Sequence, residues 1–246
     1  MDRVLIGVDA GTTNIKAAAF TLGGEELTKT VRETPLKTPR AGWVEQGMET
    51  TWERTAATIR ETVDAVGDAA VLAVGVTGQG DGCWLIDGDG QPVRDAILWS
   101  DGRAADYVTA WKEDGTAERV RQITGSDLFP GAALSILQWL ADNEPEAIDD
   151  AETAFFCKDW LKYRLTGERT MDYSGASLPF LEGRRNEPVA RFTPRQLPSP
   201  RVQRCRRDSS RRRGGARRDP AERRPEHCRP RRRPTRWRWR GERGPG

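Results

Sequence analysis

The chain has 246 residues and a formal net charge of +3, an average over two opposed segments. Residues 1–182 carry 31 acidic and 17 basic side chains, a balance of −14, whereas residues 183–246 carry 6 acidic and 23 basic ones, a balance of +17, every base being arginine. Four cysteines in no Cys-x-x-Cys spacing, one histidine (His227) and no apolar run approaching about 18 residues exclude a disulfide scaffold, a zinc site and a membrane-spanning helix.

In chain order, Val4-Leu5-Ile6-Gly7-Val8 is an apolar strand that exits into Asp9-Ala10-Gly11-Thr12-Thr13-Asn14-Ile15-Lys16. Those are the parts of a phosphate site. A carboxylate at the strand end can hold a magnesium ion or its waters, Gly11 admits close approach of a polyphosphate, Thr12 and Thr13 add donors and Lys16 adds charge. Ala17 to Phe20 and Glu25 to Leu27, separated by Gly23-Gly24, predict further strands, so the polar loop is a β-hairpin turn and not the strand-to-helix loop of P-loop or Rossmann proteins. An ordinary hairpin with a polar turn is the competing reading of the segment taken alone.

A Pro-containing connection over 34–44 leads through Glu45-Gln46-Gly47 to a predicted helix from about Met48 to Val66, with Trp52, Ala56, Ile59 and Val63 on one face. Val71 to Val76 is a buried-type strand ending in Thr77-Gly78-Gln79-Gly80-Asp81-Gly82, the kind of strand end where chemistry collects. Short strands at 84–87 and 96–99 follow, the second delivering Ser100-Asp101-Gly102-Arg103 into a helix. Helices are expected over 104–113, 118–124, 132–143 and 158–165, with a strand near 153–156. Mixed strands and helices with hairpins first predict an α/β domain whose sheet begins antiparallel and becomes partly parallel.

Three strand ends could then converge: Asp9 to Lys16, Gln79 to Asp81, and Trp99 to Arg103. The Asp-Ala-Gly-Thr-Thr-x-x-Lys start resembles the first phosphate motif of the FGGY carbohydrate kinases. Thr77-Gly78-Gln79 falls where that family has its Gly-Gln sugar-binding turn, and Leu98 to Arg103 resembles its Trp-x-Asp-x-Arg motif. Lys158-Asp159-Trp160-Leu161, Arg164-Leu165-Thr166-Gly167 and Asp172 to Ser177 resemble later segments of the family's N-terminal domain.

The resemblance spans residues 1–182 and implies the ribonuclease H-like, actin-like ATPase and sugar-kinase fold, as an incomplete N-terminal domain. It implies ATP phosphates against Gly11, Thr12 and Thr13, with Asp9 near Mg2+ and Lys16 close by, and a sugar or polyol against Gln79, Asp81, Trp99, Asp101 and Arg103. Polyol hydroxyls need fixed donors and acceptors, and an indole offers an apolar face to C–H groups. Competing readings stay open: Trp99 as a core aromatic, Asp101 and Arg103 as a helix N-terminal carboxylate with its ion partner, and Asp81 as a turn residue. Asp159 and Asp172 read as helix or turn caps. Gly78 to Gly82 together with Cys157-Lys158-Asp159-Trp160 resembles the erythritol-kinase and L-xylulose-kinase branches more than the xylulokinases, which points to a four- or five-carbon polyol or ketose. The family's catalytic base, an Asp in a Gly-rich turn, lies beyond where the resemblance ends, so no base is assigned.

Residues 183–246 contain one leucine, no isoleucine and nine prolines, too little apolar surface to offset ordering entropy, so they are expected to be disordered. A basic arm for nucleic acid would normally mix lysine with arginine; arginine without any lysine, starting where the resemblance stops, reads instead as out-of-frame translation of GC-rich DNA. The expected protein is thus a cytoplasmic sugar or polyol kinase cut short, acting on a small molecule, with no membrane or nucleic-acid partner. A non-catalytic sugar or nucleotide binder and an Arg-rich nucleic-acid binder are the alternatives. A sheet deprived of later strands is expected to expose an edge and apolar surface.

Overall fold

The computed structural model describes residues 2–176 and the short pairs Leu181–Glu182 and Glu187–Pro188. Apart from Glu187–Pro188, the Arg-rich segment expected to be disordered lies outside the described residues.

Strands β1 (Arg3–Ala10), β2 (Asn14–Thr21) and β3 (Glu26–Glu33) form consecutive antiparallel hairpins. After β4 (Glu45–Gln46) and helix α1 (Met48–Ala65), β5 (Ala70–Gly78) returns parallel to β1, giving the sheet order β3-β2-β1-β5. The sheet therefore changes from antiparallel to parallel at β1, as the hairpin-then-helix pattern requires. Alternation in β1 decides its two faces: Val4, Ile6, Val8 and Ala10 are buried, while Leu5, Gly7 and Asp9 are exposed.

Helix α1 covers the buried face, with Ile59 and Val63 of the stripe the periodicity picks out packed against the cluster of Ile6, Val8, Ala17 and Ala19, beside a deeper row of threonines. Its deepest residues are Met48, Thr51, Thr55, Thr58 and Thr62, whereas Trp52, Ala56, Ile59 and Val63 are half-buried at its flank. Each of these four threonine hydroxyls donates to the carbonyl one turn back, at 2.7–2.9 Å, which satisfies the polar atom and leaves a methyl group to pack against the sheet. Short side chains let the helix sit close enough for Thr62 Oγ1 to reach the carbonyl of Ala17 in β2, at 3.3 Å.

Beyond β5 come β6 (Trp84–Ile86), β7 (Ala96–Ile97), α2 (Ala105–Glu113), α3 (Thr116–Thr124), α4 (Ala133–Asn143), α5 (Pro145–Asp150), β8 (Thr153–Phe155), α6 (Cys157–Thr166) and α7 (Tyr173–Ala176). β7 pairs with β4 and β8 with β6, both antiparallel. The strand β4, the helix α5, which opens on Pro145, and the four-residue helix α7 are elements the sequence pattern did not separate. Trp111 and Trp160 are fully buried, and the Trp160 indole donates to the Met48 carbonyl at 3.0 Å, tying α6 to the start of α1. Among the described residues β5 stands at the sheet edge, with Leu72 and Val74 half-exposed, in line with the edge and apolar surface expected from the sequence.

Asp159 and Asp172 act as caps. Asp159 Oδ2 accepts the Phe156 N–H at 3.2 Å at the start of α6, and Asp172 Oδ1 accepts from Gly175 N–H, Ser174 and Lys158. Burial pushes the Asp159 carboxyl up to about 6, against the pull of the Phe156 N–H and two lysines, and its Oδ1 has no hydrogen-bond partner among the described residues. The folded value thus exceeds the ordinary one, so this group costs no stability in acid, and its cost accrues as pH rises from the ordinary carboxylate value to about 6. Asp159→Asn keeps an acceptor for Phe156 and removes the charge. It is expected to be about 1–2 kcal/mol more stable than the parent above about pH 7, with the advantage gone by about pH 4, read from urea unfolding at each pH. A difference independent of pH would show that Asp159 is ionised without penalty.

Candidate functional site

β1 and β5 are parallel neighbours in register, Asp9 beside Thr77 and Ala10 beside Gly78, so their polar exits open at the same end of the sheet. The first exit is a hairpin turn: Gly11 N–H donates to the Asn14 carbonyl at 2.9 Å, and Lys16 on β2 stands directly opposite Asp9. The second is fastened to the first by the Gln79 N–H, which donates to the Ala10 carbonyl at 2.9 Å. Gly78 permits this approach, because a Cβ there would meet that same carbonyl oxygen at 3.0 Å.

The two exits and the end of β7 enclose an open cleft of about 450 Å³ lined by Asp9, Gly11, Thr12, Gln79, Asp81 and Trp99, with Phe129 at its wall. Trp99 is 47% exposed, so it is not a core aromatic. Its indole donates to Thr12 Oγ1 at 3.0 Å, Thr12 donates to Gln79 Oε1 at 3.3 Å, and Gln79 Nε2 donates to Gln46 Oε1 at 2.9 Å. The cleft residues from three separate elements are therefore one hydrogen-bonded chain.

Asp81 is the one non-glycine residue with positive φ among the described residues, at +53°, followed by Gly82 at +77°. Its carboxylate accepts the Ala133 N–H at the start of α4; burial raises it above the ordinary carboxylate value, with that N–H pulling the other way. Backbone strain beside a cleft marks a site whose geometry the surroundings impose. Asp81→Asn, which tolerates the left-handed region and keeps an acceptor, is expected to change unfolding free energy by less than about 0.5 kcal/mol, and Asp81→Val to lose about 1–3 kcal/mol, by chemical denaturation. Equal losses from both would show that the positive φ is not maintained in solution.

Asp101 and Arg103 lie elsewhere. Both side chains have no exposure and do not line the cleft. Arg103 Nε donates to Asp101 Oδ1 at 2.9 Å and Nη2 to Glu45 Oε1 at 2.7 Å, while the guanidinium centre lies 4.1 Å from the Trp43 ring and 5.1 Å from the Trp139 ring. Asp101 also accepts the Val44 N–H at 2.6 Å, and Arg94 bridges Glu45 to Glu144. This buried network clamps the loop that presents Trp99 to the connection before β4. Thr13 and Lys16 are exposed on the hairpin outside the cleft lining. Among the described residues, no three His, Cys, Asp or Glu side chains gather as a metal cluster, and no helix is long and apolar enough to cross a membrane.

Gln46 and Phe129 are site residues that the sequence reading missed. The only trace of Gln46 was a polar triplet before a helix, and Phe129 reaches the cleft from a loop with no motif.

Residues 4–181 match the FGGY family of carbohydrate kinases, N-terminal domain. The chain is 39% identical over 183 residues to the erythritol kinase of Brucella abortus, covering 72% of this chain and 34% of that protein. It is 33% identical over 181 residues to the L-xylulose/3-keto-L-gulonate kinase of Escherichia coli, covering 72% and 36%. Among solved structures, xylulose kinase from Rhodospirillum rubrum superimposes with a TM-score of 0.70 at 28% identity, over 73% of this chain and 38% of that one. Gluconate kinase from Lactobacillus acidophilus superimposes with a TM-score of 0.74 at 22% identity, over 80% and 42%, which shows the shared sugar-kinase fold. The chain thus spans about a third of the length of the curated relatives it matches. With a family match across most of the folded body and the strand-exit cleft in place, this chain belongs to the FGGY family of carbohydrate kinases through its N-terminal domain.

Proposed function

We propose that this chain carries the acceptor-binding and first phosphate-binding elements of a kinase that transfers phosphoryl from ATP to a hydroxyl of a four- or five-carbon polyol or ketose. The observation that carries the reading is the convergence of Asp9, Gly11 and Thr12 with Gln79, Asp81 and Trp99 in one cleft, in a chain of this family. The carboxylate of Asp9 suits Mg2+, which commonly takes one or two protein carboxylates and completes its shell with water and phosphate oxygens. When bound, the ion neutralises charge on the phosphates. Gly11 lets the hairpin backbone come near a polyphosphate, Thr12 offers its backbone N–H and Thr13 its N–H and hydroxyl, and Lys16 adds positive charge at the hairpin. Gln79 and Asp81 offer a fixed amide and a carboxylate to acceptor hydroxyls, and Trp99 covers the C–H face. Asp101 and Arg103 serve this site by holding the Trp99 loop.

The general base that takes the proton from the attacked hydroxyl is not assigned in this chain, and we propose that residues 1–246 alone have no turnover. A chimera tests the reading: residues 4–181 replace the matching third of the Brucella abortus erythritol kinase, and ATP-dependent phosphorylation of erythritol and of L-xylulose is measured. Activity lost on Asp81→Asn is expected. A folded chimera that phosphorylates neither would overturn the reading.

A further inference from the structure

We propose that Gln46, a residue fully buried behind the cleft, is the positioning residue that fixes which way the Gln79 carboxamide faces and, through Thr12, holds the Trp99 indole. This inference rests on the reading that Gln79 meets the acceptor.

An amide side chain can in principle be turned end for end, exchanging donor for acceptor, so its orientation must be set by a neighbour that cannot reverse. That neighbour is the Thr12 carbonyl, which can only accept. Gln46 Nε2 donates to it at 3.0 Å and to Thr34 Oγ1 at 3.4 Å, so both protons of the Gln46 amide are used and its Oε1 must face the other way. Gln79 therefore has to present Nε2 to Gln46 Oε1, at 2.9 Å, and its own Oε1 becomes the acceptor for the Thr12 hydroxyl. Thr12, having spent its proton, accepts from the Trp99 indole, which is a donor only. The order Trp99 to Thr12 to Gln79 to Gln46 to the Thr12 carbonyl thus runs in one direction. It leaves one Gln79 carbonyl lone pair, in a defined direction, for a ligand hydroxyl, while the second Gln79 N–H faces the buried Cys157 sulfur, a weak acceptor. β4 supplies the rigidity: the Glu45 side chain beside Gln46 receives Arg103, and β4 is paired with β7, whose exit carries Trp99.

The test is NMR of the full 246-residue chain, reading the Gln79 side-chain amide protons and the Trp99 indole proton, assigned through Gln79→Leu and Trp99→Phe. In the parent chain the two Gln79 amide protons are expected to exchange with solvent at rates at least tenfold apart. Gln46→Leu should abolish that difference and move the Trp99 indole signal, while the Trp111 and Trp139 indole signals stay in place. Thr34→Val perturbs the same buried pocket but leaves the Thr12 carbonyl contact, so it should preserve both Gln79 and Trp99 signals. If Gln46→Leu leaves the Gln79 pair and Trp99 unchanged, or Thr34→Val disturbs them equally, the positioning role is wrong. Should Gln46→Leu fail to fold, equal exchange of the two Gln79 protons in the parent chain would overturn it just as well. Titration with erythritol then separates the two readings: a shift in the parent chain that weakens at least tenfold in Gln46→Leu supports both, whereas a parent chain that shows no shift with erythritol or L-xylulose counts against the acceptor site and leaves the polarity result standing.

Discussion

Arg103→Ala is expected to cost about 3–5 kcal/mol of unfolding free energy, because it leaves the Asp101 and Glu45 carboxylates without their shared cation in a region closed to water. The guanidinium also packs against Trp43 and Trp139, which touch each other edge to face, so truncation removes packing as well as charge. Arg103→Lys keeps the charge but cannot make the forked contact to Asp101 or stack flat on the indoles. It should lose an intermediate amount, about 1–3 kcal/mol. Since Asp101 also holds the Val44 N–H, the Arg103→Ala protein should show a displaced Trp99 indole signal even where it remains folded. Urea unfolding that finds a loss below about 1 kcal/mol would mean water reaches this network and compensates the carboxylates.

Gly131→Ala is the second large effect. A Cβ at this position would fall on the Trp99 carbonyl, and the Gly131 carbonyl accepts the Gly82 N–H at 3.1 Å. Two backbones are therefore in contact at the wall of the cleft, and neither can swing aside as a side chain would. A loss of about 3 kcal/mol or more, or failure to accumulate as folded protein, is expected. Gly82→Ala should follow the same course, since its Cβ would meet the Ile97 carbonyl oxygen at 2.6 Å from a backbone at φ +77°. Gly80→Ala is the control: nothing lies within 4 Å of its Cβ, and the change should stay within about 0.5 kcal/mol. Equal stability of the Gly131→Ala and Gly80→Ala proteins would refute the close approach.

Both predictions concern residues whose neighbours are distant in sequence, and this is where reading the chain in order stops being sufficient. The strand alternation of β1, the glycine turns of the hairpins and the long helix before β5 were legible because each depends on nearby residues: a period of two, a φ that favours glycine, a period near four. The convergence of Asp9 with Gln79 was also legible in outline, since a strand, a helix and a second strand of apolar type return parallel and place both exits at one end. The depth of α1 was not. A stripe of threonines carries no hydrophobic signal, and only the folded helix shows them buried, with their hydroxyls satisfied by carbonyls one turn back.

The sequence by itself determined the fold class, the hairpin character of the Asp9 to Lys16 turn and the kinase ancestry, because these rest on local periodicity and on motifs read in order. Tertiary structure decided the roles within the motifs. It separated Trp99, half-exposed at the cleft, from Asp101 and Arg103, buried two and four residues later, and it brought in Gln46 from a connection that no motif marks. The physical reason is that burial and hydrogen-bond polarity belong to pairs of distant groups. Asp101 is drawn inward by Arg103 and the Val44 N–H, and Gln79 is oriented by a carbonyl on another strand exit. No composition or spacing encodes either until the chain has folded.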